Sequence, residues 1–271
     1  MKPSLEDNFE DVLGKAKRGL KLEDAAIAAK AGIPVEAWLT LLDGEFSEVE
    51  ARAVAPVLKL DPDALVALAK KEYQPNVPVP DCVAQIPTEF SGGTVNAYLV
   101  WCTATKSAVV FDTGMDATPL LALAQQKGVK IEAILITHGH RDHVADLTKL
   151  SVGTHAPAYA PEGEDVVGAE VFEPGREFSI GKLRIETRKT WGHAPAGVTY
   201  VLEGLDVPVA IVGDAIFAGS MGGGGVDYQA ALRTNREQIL SLPRETVLCP
   251  GHGPLTTVGL ELENNPFFAK D

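Results

Sequence analysis

Residues 137–143 read THGHRDH, which puts three of the chain's six histidines within six positions and an aspartate between the last two. Imidazole nitrogens and carboxylate oxygens are ordinary donors to Zn, Fe and Mn, so the stretch has the chemistry of a metal site. The apolar run EAILIT leads into it and reads as a strand. On an extended backbone residues i and i+2 point the same way, so His138 and His140 leave the strand end on one face. Asp142 and His143 follow where the chain turns into a helix, marked by Val144, Leu147 and Leu150 at helical spacing. The plain alternative is a polar turn with surface histidines. It suits any single histidine better than three with an intervening Asp.

Three further ligand-type residues have comparable settings. His193 sits in TWGHAPAG, a Gly/Pro-rich turn between two strand-like runs. Asp214 follows the apolar run AIVG, and His252 follows another in LCPGHGP. Turns of this kind present a side chain at a sheet's edge without burying backbone donors. An Asp at 214 is either a turn residue or a ligand aimed from a strand end. His155, in SVGTHAP, lacks such a setting and reads as structural.

The elements that must position these residues have two textures. Residues 1–74 are rich in Ala, Leu, Glu and Lys and read as a small all-α domain of five helices: Leu5 to Arg18, then stretches 21–32, 33–44, 47–60 and 61–73. Ser47 with Glu50 has capping-box spacing, and Asp61–Pro62 reads as N-cap followed by a first-turn proline. The step AGIP between the second and third helices resembles a helix-turn-helix. Residues 1–73 carry 10 Lys/Arg against 14 Asp/Glu, however, and the would-be recognition helix, Pro34 to Asp43, has no basic residue. That weighs against DNA and favours a packing role or a homodimer contact.

Residues 75–81 form a Pro-rich linker. Residues 82–271 read as alternating strands and helices. The strands are VNAYLVWC, SAVVFDTG, EAILITH, HAPAYAP, KLRIETRKT, VTYVLEG and VPVAIVGD; the helices are 117–128, 143–150 and 227–242. MGGGG at 221–225 reads as a flexible loop and not as a phosphate-binding loop, since no Lys-Ser/Thr follows it.

Composition sets outer bounds. With 45% hydrophobic and 23% charged residues, the 271-residue chain can bury a sizeable core. A net charge of −13 disfavours a polyanionic partner such as nucleic acid. Cys82, Cys102 and Cys249 are too scattered for a disulfide framework and read as buried apolar residues. No run reaches the length of a membrane span and MKPSLEDNFEDVLGK lacks an apolar targeting core, so we expect a cytoplasmic protein without a membrane partner.

The order HGHRDH, GHAPAG, GD, PGHGP over residues 82–271 resembles the metallo-β-lactamase superfamily. The resemblance implies an α+β fold, an αβ/βα sandwich with metals at one edge, here preceded by the helical domain. It implies that His138, His140 and His193 hold a first divalent metal, that Asp142, His143 and His252 hold a second, and that Asp214 bridges them. Asp112, in FDTG, matches a position that orients ligands; a strand-terminal turn residue is the equal alternative.

The segments GDAIFAGSMG and LPRETVLCPGHGPLTTVGLELENNPFF look most like the glyoxalase II branch, whose substrate is a hydroxyacyl-glutathione thioester. Two features depart from it. MGGGG stands where that branch commonly has an arginine, and the chain stops at Asp271 without that branch's C-terminal helical domain. The N-terminal helices could cover the site in its place, and Trp191, Tyr228 and MGGGG are candidate pocket residues.

The resemblance thus implies hydrolysis of an ester-like bond in a small-molecule substrate, a thioester or lactone. The attacking group would be a hydroxide bridging two divalent metals, Zn first and Fe or Mn next. Asp142 and Asp214 would be the catalytic carboxylates that orient it. Other readings are a mononuclear iron persulfide dioxygenase, a nucleic-acid phosphodiesterase, and a DNA-binding regulator that senses through the metal domain.

Overall fold

The computed structural model describes residues 4–269. It opens with helices α1 (Phe9–Leu20), α2 (Asp24–Ala31), α3 (Val35–Leu42), α4 (Glu48–Val54) and α5 (Pro62–Ala69). Their ends follow local chemistry. Asp61 accepts from the Ala64 N–H at 2.8 Å, and Pro62 fills a first-turn position whose donor would go unused. Ser47 precedes α4 as expected, but its hydroxyl bonds the Glu50 carboxylate side chain, so no complete capping box forms there. The chain bends by 113° between α2 and α3. Trp38 of α3 is fully buried, and its Nε1 donates to Asp24 at 2.7 Å. No single helix among the described residues is long and apolar enough to cross a membrane.

Residues 72–80 have no regular structure. Two six-stranded sheets follow. The first holds β1 (Val83–Phe90), β2 (Gly93–Cys102), β3 (Ser107–Phe111), β4 (Lys130–Leu135), β5 (Ala158–Pro161) and β6 (Glu170–Phe172), in that spatial order. β1, β2 and β3 pair antiparallel, and β3 to β6 run parallel. Helices α6 (Thr118–Lys127), α7 (Arg141–Val144) and α8 (Leu147–Thr154) belong to this half.

The second sheet holds β7 (Glu177–Ile180), β8 (Leu183–Lys189), β9 (Val198–Glu203), β10 (Val209–Gly213), β11 (Val247–Pro250) and β12 (Thr256–Thr257), again in order. Only β10 and β11 are parallel. Helix α9 (Tyr228–Thr234) runs into a π-helical turn, Asn235–Ile239, and α10 (Val258–Asn264) comes last.

Alternation along the strands divides the core. Tyr98, Val100, Val109, Phe111 and Leu135 meet Ile185, Tyr200, Ile211 and Cys249 between the sheets. Their neighbours Ala97, Leu99, Val110 and Ile134 face outward under Leu120 and Leu150 of α6 and α8. On the other side Ala210, Val212 and Leu248 are covered by Leu13, Trp38 and Leu65 of the N-terminal helices and Leu58 of the turn between α4 and α5, together with Tyr228 and Phe268. The result is a two-sheet sandwich with helices on both outer faces and α1–α5 supplying much of one cover, each buried aliphatic or aromatic side chain worth about 1.5–3 kcal/mol. Contact there is close: a Cβ on Gly19 would lie 2.2 Å from the Tyr228 ring.

The sequence reading did not place β1, β6, β7, β11, β12 or α10. β1 is an edge strand containing Pro87 with a half-exposed pattern, and the others are seven residues or shorter. The expected helix over 143–150 is two helices broken at Ala145–Asp146, where Asp146 instead accepts from the Ala117 N–H at 2.8 Å.

One buried carboxylate ties these layers together. Glu261 of α10 accepts from Tyr73 Oη (2.5 Å), Thr256 Oγ1 (2.6 Å), Asn265 Nδ2 (2.7 Å) and the Gly219 N–H (2.9 Å). Burial lifts its pKa above the usual carboxyl value despite these donors. The folded protein therefore keeps this proton to higher pH than the unfolded chain does. Its contribution to stability is full at low pH and declines as pH rises through the folded value. Glu261→Gln keeps the shape of the protonated acid but must turn its amide N–H groups toward the Tyr73 and Thr256 hydroxyls, and should cost about 1 kcal/mol at pH 5. That cost should shrink by pH 8, as read from urea midpoints of both proteins at each pH; a cost independent of pH would contradict the assignment.

Candidate metal centre

Strand ends gather the ligand-type residues. Asp112 follows β3, the 138–143 stretch follows β4, Asp214 follows β10 and His252 lies two residues beyond β11. His193 comes from the turn between β8 and β9. Four of these five deliveries use the carboxyl ends of parallel strands, where open α/β sheets present ligands.

All seven residues singled out as ligands converge. His138, His140, His193 and Asp214 form one group, and Asp142, His143 and His252 another, with candidate ligand atoms of each group within 4.8 Å of one another. In the first, His140 Nδ1 stands 3.0 Å from His138 Nε2 and 3.1 Å from His193 Nε2. In the second, Asp142 Oδ2 lies 3.2 Å from His252 Nε2 and 3.6 Å from His143 Nε2. Asp214 touches both. Its Oδ2 is 3.4 Å from both His193 Nε2 and His252 Nε2, and its Oδ1 is 3.3 Å from His143 Nε2.

Outer partners set the tautomers. His143 Nδ1 donates to Asp112 Oδ2 at 2.8 Å, His193 Nδ1 to the Gly223 carbonyl at 2.9 Å, and His252 Nδ1 to the Thr94 carbonyl at 2.8 Å. The Thr137 hydroxyl donates to Asp112 Oδ2 at 2.8 Å, which leaves its oxygen to accept from His138 Nδ1 at 3.0 Å. With Nδ1 as the donor, each of these four rings turns its Nε2 lone pair inward, as metal coordination needs. Asp112 is thus more than a turn residue. It has a left-handed φ of 55°, is buried, and also accepts from the Thr137 N–H at 2.8 Å.

Electrostatics leave room for a cation. Burial pushes His138 and His193 below the ordinary imidazole pKa. Burial acts the same way on His143 and His252, but carboxylates prevail: Asp214 and Asp112 hold His143 at about 10, and Asp142 and Asp214 hold His252 at about 11. Burial would raise Asp214, yet His143 and His252 keep it well below the carboxylate range. Without a metal, protons supply the balancing charge, and metal binding would release them. Among the described residues, His143 Nε2 and Asp214 Oδ1 are shielded from solvent and lack a hydrogen-bond partner; their mutual 3.3 Å approach is not a hydrogen bond. The His/Asp cluster fits a divalent metal site, since a cation would satisfy both orphan atoms.

Residues without obvious chemistry hold the site in shape. Glu164 accepts from the Gly139 N–H at 2.8 Å and the Ala196 N–H at 2.7 Å, clamping the turn of His138 and His140 to that of His193. A Cβ on Gly251 would lie 2.1 Å from Asp214 Oδ1, and one on Gly222 would lie 1.9 Å from the Asp214 carbonyl oxygen. The sequence reading took MGGGG as a flexible loop, but its first glycine is required by packing and its second accepts from a site histidine. Only the place of Gly251 and Gly222 beside motif residues hinted at this; a lone Glu164 gives no signal.

His155 terminates α8 in the left-handed region, φ 57°, outside both ligand groups. Trp191 lines neither the cleft over the metal centre nor the groove beside it; its carbonyl accepts from Thr234 Oγ1 at 3.0 Å. The cleft encloses about 380 Å³ and is lined by His140, His193, Phe90, Phe217 and, from the N-terminal region, Glu6 and Lys15.

Removing the Asp112 carboxylate should free the His143 ring. Asp112→Ala is expected to weaken metal affinity about 10–100-fold, measured as metal retained against a competing chelator. His155→Ala should retain as much metal as wild type in the same assay.

Comparison with known proteins agrees with this geometry. The family model described as the metallo-beta-lactamase superfamily matches residues 91–252. A probable metallo-hydrolase, YqgX of Bacillus subtilis (strain 168), is 29% identical over 199 residues, spanning 65% of this chain and 93% of that protein. Hydroxyacylglutathione hydrolase GloC of Haemophilus influenzae is 25% identical over 197 residues, spanning 64% and 92%. The crystal structure of BLEG-1, a B3 metallo-beta-lactamase, is similar with a TM-score of 0.61 at 29% identity, covering 69% of this chain and 99% of that one. The two sheets, their order and the His/Asp cluster at their strand ends make this chain a member of the metallo-beta-lactamase superfamily of metal-dependent hydrolases.

Proposed function

We propose that the protein hydrolyses an ester-like bond, first a thioester and next a lactone, at a two-metal centre. The observation that carries this is the division of seven side chains into two groups that share Asp214. His138, His140 and His193 would hold one metal, Asp142, His143 and His252 the other, with Asp214 between them. Imidazole and carboxylate together suit Zn first, with Fe or Mn next. A bound divalent metal supplies Lewis acidity, lowering the pKa of water toward 7 and polarising a carbonyl oxygen.

The chain's own groups do the rest. Asp142 and Asp214 are ionised at neutral pH and accept hydrogen bonds only, so they orient an attacking water by its protons. Asp142 or Asp214 would accept a proton released in the attack. Phe90 and Phe217 wall the cleft, while the exposed His140 marks its open side. A cleft of about 380 Å³ suits a small molecule. The thioester preference draws support from GloC, whose name states hydrolysis of a hydroxyacylglutathione.

His140→Ala should lose metal and hydrolysis together, with turnover down at least about 100-fold on loss of a ligand. Metal analysis is run alongside a panel of thioesters, lactones and phosphodiesters. Full metal occupancy with normal turnover in the variant would overturn the ligand assignment. Oxygen uptake with a persulfide and bound iron in the wild type, without hydrolysis, would replace the hydrolase by the iron dioxygenase.

A further inference from the structure

A second groove, of about 600 Å³, runs between the end of α1 and residues 223–229. It shares Lys15 and Gly223 with the metal cleft, so the two spaces are neighbours across these residues. Lys15, Arg18 and Lys21 line its helical wall. Lys15 stands at the junction: its ammonium pairs with Asp7, donates to the Met221 carbonyl at 2.8 Å and lies 5.0 Å over the Phe217 ring. Arg18 and Lys21 are exposed and have no carboxylate partner among the described residues. Asp227 also lines the groove, but its carboxylate is engaged as the cap of α9, accepting from the Ala230 N–H at 2.9 Å.

Two cations without a carboxylate partner among the described residues, Arg18 and Lys21, and a third paired with Asp7, Lys15, thus line a groove on a protein of net charge −13. Compensation of the helix dipole explains basic residues in the last turn of α1, yet Lys17 in that turn is paired with Asp24 while Arg18 and Lys21 face the groove. Fixed cations beside a low-dielectric cleft select and steer an anionic ligand. All three lie outside the residues that match the family, 91–252, so this wall is a feature of the chain's own N-terminal region.

We propose that this groove binds an anionic arm, ending in a carboxylate or a phosphate, on the substrate whose scissile bond lies in the metal cleft. The proposal rests on the hydrolase reading for the scissile bond, but the binding of the arm can be tested separately. The arm runs past Lys15, whose ammonium is tied to Asp7 and the Met221 carbonyl, and Arg18 and Lys21 neutralise its terminus. The N-terminal helices are then part of the substrate site as well as a cover for the second sheet.

The test compares the full-length metal-loaded protein with Arg18→Gln/Lys21→Gln and with the charge-preserving Arg18→Lys/Lys21→Arg. Substrates are thioesters of matched length whose arms end in a carboxylate, a phosphate or a neutral amide. The ratio of kcat/KM for charged over neutral arms should fall about tenfold in the Gln variant, through KM, and recover in the charge-preserving one. The arm that shows the larger fall names the anion. A ratio unchanged in the Gln variant overturns the proposal. Uncleavable thioethers with the same three arms are titrated by thermal shift in parallel. If no thioester is cleaved but charged thioethers bind the wild type and not the Gln variant, the groove stands and the hydrolase reading falls. Thioether binding indifferent to arm charge in the wild type overturns the groove itself.

Discussion

A carboxylate buried among imidazoles sets the terms for this structure. Asp214 leaves the end of β10 shielded from water, with the Nε2 atoms of His143, His193 and His252 around it. An ion removed from water at such a point is costly unless opposite charge accompanies it. The protein can answer with protons on its histidines or with a bound cation. Much of the local architecture serves that requirement. Glycine stands at 222 and 251 because a side chain there would occupy the space of Asp214. The imidazoles face inward because Asp112, Thr137, Thr94 and Gly223 engage their outer nitrogens.

Loops deliver these groups, yet the loops are tied down. Glu164 joins two of them through backbone N–H groups. Asn96 of β2 donates to the carbonyls of Pro250 and Gly253 on either side of His252, and Tyr98 donates to Pro250 as well. The π-helical turn adds another anchor, since Asn235 donates to the Ala215 carbonyl just past Asp214. The clustered side chains are thereby fixed by hydrogen bonds that reach back into both sheets, which is what a preformed metal site would require.

The His/Asp cluster was legible in the sequence because its chemistry is local and rare. Histidines spaced by two at a strand end, and others just after apolar runs, announce themselves by type and setting. The sandwich was legible from resemblance and from β-branched runs, but edge and short strands such as β1 and β12 were not, because pairing more than composition makes them strands. Capping at Asp61 was readable. The capping box expected at Ser47 does not form, because the Glu50 side chain takes up the same hydroxyl. The supporting residues were least visible. Glu164, Thr137 and Asn96 are ordinary polar residues in the sequence, and they acquire meaning only when folding brings distant backbone donors and acceptors to them. The link from α1 to the metal cleft was equally hidden, since Lys15 meets Met221 across 206 residues.

That packing has a consequence for how the chain is made. Leu13, Trp38 and Leu58 share one apolar cluster with Leu240, Leu248 and Phe268, and the Asp61 N–H donates to the Pro266 carbonyl at 2.8 Å. The ribosome releases α1–α5 long before β11 and α10 exist to receive them. Until β11 and α10 have emerged these helices carry an uncovered greasy face, a hazard that grows with the time spent waiting. Translation speed and chaperone capture, as well as the finished fold, therefore bear on how much active protein a cell obtains.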